Sequence, residues 1–119
     1  MTRINLTPPQ ELSTKHLIAE YRELPRVFRL AAAWHLRGGR SDVLPAAYTL
    51  GKGHVSFFYD KLLFVVKRHR SLVDEMLARG YTVNIPEPER HGAPSVLFND
   101  YEPTQEALAI NRQRIQERS

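Results

Sequence analysis

Apolar residues recur along three segments of the chain at spacings of three and four, which is the period of an α-helix. In the first segment, the apolar stripe consists of Leu17, Tyr21, Leu24, Phe28 and Ala31. The stripe predicts a helix from about Ser13 to Arg37, which Gly38-Gly39 brings to an end. Pro25 lies inside this segment and has no backbone N–H to donate, so we expect a kink there.

The second and third segments carry similar stripes. The second predicts a helix from residues 54–56 to Arg79, which Gly80 brings to an end, and the third predicts one from Pro103 to about Glu117. The intervening stretches 38–53 and 81–102 contain glycine and proline and are predicted loops. No segment alternates clearly enough to predict a strand.

The chain has 119 residues, a length that fits one domain, so we predict a single compact all-α domain over residues 1–119 with three main helices. It contains no cysteine, which excludes disulfides and thiolate metal sites. Neither an HExxH sequence nor paired Cys/His spacing indicates a metal. No apolar run approaches the ~20 residues that span a bilayer, and no apolar leader is present. We therefore expect a cytoplasmic protein without a membrane partner.

Positive charge is concentrated in the first part of the chain. Residues 1–70 carry 12 Lys/Arg and 5 Asp/Glu, a net +7, whereas residues 71–119 carry 5 and 8, a net −3; together they give the net charge of +4. This asymmetry indicates a surface for a polyanion such as nucleic acid. The alternative is a solvated basic helix face without a partner.

Four basic residues of the first predicted helix fall on the side opposite the apolar stripe: Lys15, Arg22, Arg26 and Arg29. Planar guanidinium groups suit successive phosphates of a nucleic acid. Glu23 borders this group, close to His16 and Glu20, and a carboxylate beside a bound DNA backbone is placed to move a proton. The alternative is an amphipathic helix whose arginines pair with its glutamates.

The N-terminus carries a second chemical signal. A small second residue such as Thr2 generally allows Met1 to be removed, which leaves Thr2 with a free α-amine. The ordinary pKa of an α-amine is about 7.7–8.0, against about 10.4 for lysine, so roughly a tenth of it is uncharged near neutral pH. A neutral amine is the nucleophile that Schiff-base chemistry needs. The alternative is that this amine has no function, as in most proteins that begin Met-Thr.

Gly51-Lys52-Gly53 is a third candidate feature. It precedes the second predicted helix, whose N-terminal amides and dipole would favour a phosphate. The spacing of a Walker loop is absent, and a plain turn is the alternative. On this basis Lys52 and Gly53 are candidate DNA contacts.

The chain resembles the phage-type pyrimidine-dimer DNA glycosylases, also called phage-type endonuclease V, in three stretches: TRINLT, HLIAEYRELPRVF and LGKGHVSFFYDKL. The stretch FNDYEPTQEALAI fits the third helix of that family more loosely. The resemblance implies a three-helix domain whose N-terminal segment threads between the helices. It also implies a glycosylase with linked abasic-site lyase activity that needs no metal or other cofactor.

The resemblance also implies roles for individual residues. Thr2 is the match for the nucleophile, through its α-amine, and Glu23 is the match for the catalytic acid. The matches for DNA contacts around the lesion, or for positions near the site, are Arg3, Arg22, Arg26, His16 and Tyr21. The implied partner is double-stranded DNA damaged by ultraviolet light, the implied active species is a monomer, and a bacterial or viral origin fits.

The chain also departs from the phage enzyme, which continues beyond the match to Ser119 into an aromatic-rich tail associated with engaging the lesion. Two alternatives to a dimer-specific glycosylase stay open, the first suggested by the absence of this tail and the second by the basic first helix. One is an enzyme that acts mainly on abasic sites or oxidised bases, and the other is a non-catalytic basic DNA-binding module. If Met1 is retained, the amine belongs to the wrong residue and the protein is expected to be inactive.

Overall fold

The computed structural model describes residues 3–118. Within them, the α-helices are α1 (Thr14–Glu23), α2 (Arg26–Leu36), α3 (Leu62–Ala78) and α4 (Gln105–Arg118). Short 3₁₀ turns lie at Pro9–Glu11, Ser41–Val43, Ser56–Phe58 and Ser95–Leu97. The described residues contain no β-strand, so the predicted all-α class is confirmed. None of these helices is both long and apolar enough to cross a bilayer.

The first predicted helix is divided in two at Leu24 and Pro25, which confirms the expected kink. Ser13 is the N-cap of α1, since its side chain accepts a hydrogen bond from the His16 N–H at 3.2 Å. Pro25 has no N–H, and the Val27 N–H bonds to the Leu24 carbonyl at 3.0 Å. Together α1 and α2 form the first of the three predicted helical segments, followed by α3 and α4.

The second helix begins later than predicted. α3 starts at Leu62, and residues 54–61 form turns that include the 3₁₀ turn at Ser56–Phe58. Lys61 separates this turn from α3 because its backbone leaves the helical region (φ −127°, ψ 39°). The predicted start at 54–56 was therefore wrong. A 3₁₀ turn followed by a helix places apolar residues three and four apart, as one continuous helix does.

Glycines end two of the helices, as predicted. Gly38 follows α2 with φ 83°, and Gly80 follows α3 with φ 85°. Both angles lie in the left-handed region, where a residue with a Cβ atom would be strained. α4 runs over Gln105–Arg118, close to the predicted third helix.

The segment Ile4–Thr7 lies inside the protein. Its residues are at most 8% exposed. Ile4 and Leu6 belong to the same hydrophobic core as apolar side chains of α1, α2, α3 and α4. The predicted threading of the N-terminal segment between the helices is therefore confirmed.

Tyr21 anchors the loop that follows α3. Its buried ring stacks on His69, with ring centroids 5.7 Å apart. Its hydroxyl oxygen accepts hydrogen bonds from the N–H groups of Asn84 and Ile85 at 2.8 and 2.6 Å. His69 donates from Nε2 to the Ile85 carbonyl at 2.7 Å. The loop is thus held against α1 and α3 without forming a strand.

Candidate active site

Side chains from distant parts of the chain hold both polar backbone groups of Ile4. Its N–H donates to Nε2 of His54 at 2.9 Å, and its carbonyl accepts from the Tyr48 hydroxyl at 3.1 Å. The two side chains are buried and meet edge-on, with ring centroids 5.4 Å apart. Ile4 lies outside any helix or strand, so its backbone is held by these two side chains. His54 and Tyr48 therefore fix the orientation of the backbone at Ile4.

Asn111 of α4 holds the next part of the same segment. Its Oδ1 accepts from the N–H groups of Leu6 and Thr7 at 2.7 and 3.2 Å, and its Nδ2 donates to Oδ1 of Asn5 at 2.8 Å. The Asn111 side chain is fully buried, so these bonds satisfy polar groups that water cannot reach. A polar residue therefore docks α4 onto the N-terminal segment.

A buried ion pair between Glu20 of α1 and Arg68 of α3 supports this arrangement. The side chains are 1% and 5% exposed, and Nε and Nη2 of Arg68 lie 2.8 and 3.0 Å from the two carboxylate oxygens. Glu20 also accepts from Nδ2 of Asn5 at 2.7 Å, and Arg68 donates to the Thr7 carbonyl. Both charges are thus paired and hydrogen-bonded, which a buried ion pair requires.

Replacing Arg68 with methionine will lower the free energy of unfolding by about 3–5 kcal/mol, because Glu20 is left as a buried charge without its partner. Urea unfolding followed by circular dichroism measures this loss. The control is Arg112→Met, which removes an exposed ion pair with Glu11 (3.1 Å) and is expected to leave stability nearly unchanged. Equal losses in the two variants would contradict the importance of the buried pair.

A cavity of about 530 Å³ opens beside the N-terminal segment, between α1 and the second half of α4. Its walls are formed by Arg3, Asn5, Lys15, His16, Ala19, Glu20, Glu23, Arg114, Ile115 and Arg118. The members from α1 recur at spacings of three and four, so they occupy one face of that helix. Acidic and basic groups therefore meet in one concave site.

The arginines of the cavity wall favour an anionic ligand. Burial lowers the pKa of Arg3, and the positive charges of Arg114 and Arg118 lower it as well. Nη1 of Arg3 and Nε of Arg114 are buried without a hydrogen-bond partner among the described residues. Donors left unsatisfied beside mutually repelling positive charges suit a phosphodiester, which would accept hydrogen bonds and neutralise the charge.

The two carboxylates of the cavity differ in what surrounds them. Glu20 is 2% exposed and is engaged by Asn5 and Arg68. Glu23 lies three residues further along α1 and is half-buried at the cavity wall. Glu23 is therefore the more accessible of the two carboxylates, while Glu20 serves the fold.

A comparison with protein families decides where the chain belongs. The model of the family described as pyrimidine dimer DNA glycosylase matches residues 1–87. The chain belongs to this family. The matched part includes the N-terminal segment, α1, α2 and α3, whereas α4 follows it. The family is one of DNA glycosylases, which implies DNA as the substrate class of this chain.

Three of the predicted site residues of this glycosylase meet in the cavity: Arg3, His16 and Glu23. They come from the N-terminal segment and from one face of α1. Thr2 and Met1 lie outside the described residues, so the amine nucleophile stays a prediction. Arg3, which follows Thr2 in the sequence, forms part of the cavity wall.

Other predicted DNA contacts lie away from this cavity. Tyr21 is buried, and its hydroxyl binds backbone N–H groups of the protein itself. Lys52 is exposed, and Gly53 lies in a turn with φ 89°. The argument that Gly51-Lys52-Gly53 binds phosphate at a helix N-terminus was wrong, because α3 begins only at Leu62. An exposed lysine remains as the basis for a DNA contact there.

Sequence reasoning missed three polar cavity residues of this glycosylase, namely Asn5, Arg114 and Arg118. Arg114 and Arg118 are four residues apart, a spacing that puts both on one face of α4. That spacing was visible in the sequence. The direction of this face depends on how Asn111 docks α4 onto the N-terminal segment, and no sequence pattern predicts this docking.

Of the four basic residues predicted on one face of the first helical segment, Lys15 lies at the cavity wall, and the three arginines are not neutralised by any residue that the structure describes. Arg22, Arg26 and Arg29 are exposed, and none forms an ion pair with another described residue. Exposed cations elsewhere do pair with carboxylates, namely Arg40, Lys67, Arg70 and Arg112. The alternative in which the helix arginines pair with its own glutamates finds no support in these contacts.

Replacing Arg29 with alanine will weaken the binding of duplex DNA and will reduce the slope of log K against log salt by about 1, the value expected for one phosphate contact. Fluorescence anisotropy across a salt series measures the slope. In the control Arg70→Ala, the lost guanidinium pairs with Glu87 at 3.4 Å, so the slope should hardly change. If the slope of Arg29→Ala equals that of the wild type, Arg29 lies outside the DNA interface.

Proposed function

We propose that this protein excises the 5′ base of pyrimidine dimers and then cleaves the resulting abasic site, using the α-amine of Thr2 as the nucleophile. The observation that carries the proposal is the meeting of Arg3 and Glu23 in one cationic cavity beside the N-terminal segment. The family match supplies the substrate class. We further propose that the active species is a monomer that needs no metal.

The chemistry begins with the neutral amine of Thr2. Its nitrogen forms a bond to C1′ of the damaged nucleotide, and the glycosidic bond breaks as the base leaves with the bonding electrons and takes up a proton. Opening of the sugar ring gives a protonated imine between the protein and C1′. The imine acidifies the C2′ hydrogens, so loss of one proton expels the 3′ phosphate by β-elimination. Water then releases the product and restores the amine.

Glu23 is the acid–base group of this proposal. Its carboxylate stabilises the cationic character that develops at C1′ and the protonated imine that follows. It also accepts the proton that the amine loses and carries protons during ring opening and elimination. The half-buried position of Glu23 strengthens such an interaction relative to the same charge in bulk water.

The arginines divide into two groups in this proposal. Arg3, Arg114 and Arg118 in the cavity wall bind the phosphates that flank the damaged nucleotide. For Arg3 and Arg114 this is supported by a buried guanidinium nitrogen that has no hydrogen-bond partner among the described residues. The exposed residues Arg22 and Arg26 hold the duplex backbone outside the cavity. Kinking the duplex and turning out a base make the sugar accessible to the amine.

Trapping with borohydride tests the proposal. The processed chain is incubated with a duplex that contains one thymine dimer, and separately with an abasic duplex, in the presence of borohydride. Reduction of the imine should leave a stable protein–DNA adduct that mass spectrometry maps to Thr2. The proposal would be overturned if the processed chain formed no adduct with the dimer duplex and none with the abasic duplex.

The same assay separates the alternatives. An adduct with abasic DNA, but none with the dimer, would identify an enzyme that acts mainly on abasic sites. Salt-sensitive DNA binding without any adduct would identify a non-catalytic DNA-binding module.

A further inference from the structure

We propose that His54 is a positioning residue for the reacting amine. Its imidazole accepts a hydrogen bond from the Ile4 N–H and thereby orients the N-terminal segment toward the cavity. The inference rests on the proposed function, in which Thr2 supplies the nucleophile. Ile4 lies two residues after Thr2, and the intervening Arg3 lines the cavity. The orientation of the backbone at Ile4 therefore bears directly on where the reactive end of the chain points.

The hydrogen bonds of His54 define its protonation state. Nε2 faces the Ile4 N–H at 2.9 Å and must accept, whereas Nδ1 faces the Thr49 carbonyl at 2.8 Å and must donate. Only the neutral imidazole with its proton on Nδ1 satisfies both neighbours. A second proton on Nε2 would set one donor against another and break the bond to Ile4.

The surroundings of His54 favour this neutral form. The rings of Tyr48 and Phe58 pack edge-on against it, with centroids 5.4 and 5.9 Å away. Burial lowers the pKa of His54; the bond to Thr49 acts in the opposite direction, Arg3 lowers the pKa further, and Glu20 raises it. The carboxylate of Glu20 is itself neutralised by Arg68. The imidazole therefore stays an acceptor at neutral pH and loses that role only in acid.

Acid should accordingly weaken both the fold and the reaction. The pKa of His54 in the folded protein lies below its ordinary value of 6.5, so the unfolded chain binds the proton more readily. Stability from this residue is present above pH 6.5 and is lost as the pH falls from there through the lowered folded pKa. Over the same range, loss of the Ile4 bond removes the alignment of the amine.

Two substitutions at position 54 test the role. His54→Leu removes the acceptor while keeping bulk, and His54→Gln keeps an oxygen that can accept from Ile4. The rate of borohydride trapping on an abasic duplex, measured under single-turnover conditions, reports the attack of the amine. We expect His54→Leu to lower this rate about 10–100-fold, as a misplaced reacting group does. The Kd for the DNA should stay close to that of the wild type, and His54→Gln should recover most of the rate.

The pH profile gives a second measurement that a merely structural role would not produce. In the wild type, log rate should rise with pH with a slope near 1 from the amine alone, and should steepen toward about 2 below the pKa of His54. Nuclear magnetic resonance of the imidazole provides that pKa in the full chain. His54→Gln should keep a slope near 1 throughout. If His54→Leu fails to fold, the comparison of the pH profiles of the wild type and His54→Gln decides whether His54 positions the amine.

The possible outcomes separate the two proposals. A wild type that forms no adduct at Thr2 contradicts the proposed function. A wild type that forms the adduct, together with a folded His54→Leu that reacts at the same rate, overturns the positioning role alone. Equal rate losses in His54→Leu and His54→Gln, or identical pH profiles of the wild type and His54→Gln, overturn it as well.

Discussion

A chain whose N-terminal α-amine is blocked will bind damaged duplex DNA and fail to cleave it. The proposed reaction needs a neutral primary amine at Thr2, and acetylation removes its nucleophilic lone pair. Retention of Met1 moves the amine by one residue, or about 3.8 Å between Cα atoms, out of line with C1′. Loss of an aligned nucleophile should lower the single-turnover rate by at least about 10³-fold, because it removes the large effective concentration of a held reactant.

The matched control for this prediction is Thr2→Ser, which keeps a primary α-amine and changes only the side chain. It should cleave at a rate close to that of the wild type. Gel-based cleavage of a dimer-containing duplex and anisotropy on the same DNA measure the rate and the Kd. Cleavage by protein in which only the α-amine is acetylated would exclude that amine as the nucleophile and would direct attention to a side chain such as Lys15.

Glu23→Gln will retain DNA binding and lose cleavage by about 10²–10⁴-fold, the usual contribution of a proton-transfer or charge-stabilising group. The amide has nearly the same shape, so contacts that depend on size persist. It carries no negative charge to stabilise the cation at C1′ and accepts no proton from the amine. Single-turnover cleavage and Kd are the two measurements, and a parallel loss of both would contradict a catalytic role.

Glu20→Gln is the informative comparison, because both carboxylates line the same cavity. Glu20 is bound by Arg68 and Asn5, so its replacement should lower the midpoint of urea unfolding. Glu23→Gln should lower that midpoint less, since Glu23 is half-buried whereas Glu20 is only 2% exposed. If the glutamine at position 20 removes cleavage without affecting stability, the two roles have been exchanged.

The helical pattern could be predicted wherever a local signal marked it. Pro25 lacks an N–H wherever it occurs, so the division between α1 and α2 was predictable from that residue alone. Gly38 and Gly80 were likewise predictable stops, since their left-handed angles suit glycine. The start of α3 was not predictable, because a 3₁₀ turn over Ser56–Phe58 mimics the spacing of a longer helix.

The cavity was only partly predictable. Residues of α1 such as His16 and Glu23 share one face by helix geometry, so their proximity follows from the sequence. Arg114 comes from α4, 91 positions beyond Glu23, and reaches the cavity only through the docking of that helix. No periodicity relates residues that far apart.

The sequence by itself determined the helical class, the basic face of α1 and α2, and the family, since each depends on local spacing or on short matching stretches. Only the tertiary structure decided which groups meet around the N-terminal segment. His54, Tyr48 and Asn111 bind backbone atoms 44–105 positions away, and the local sequence pattern would be the same with any other side chain of similar polarity at these positions. The physical reason is that helix periodicity acts over a few residues, whereas hydrogen bonds to an irregular buried segment arise only when the whole core closes.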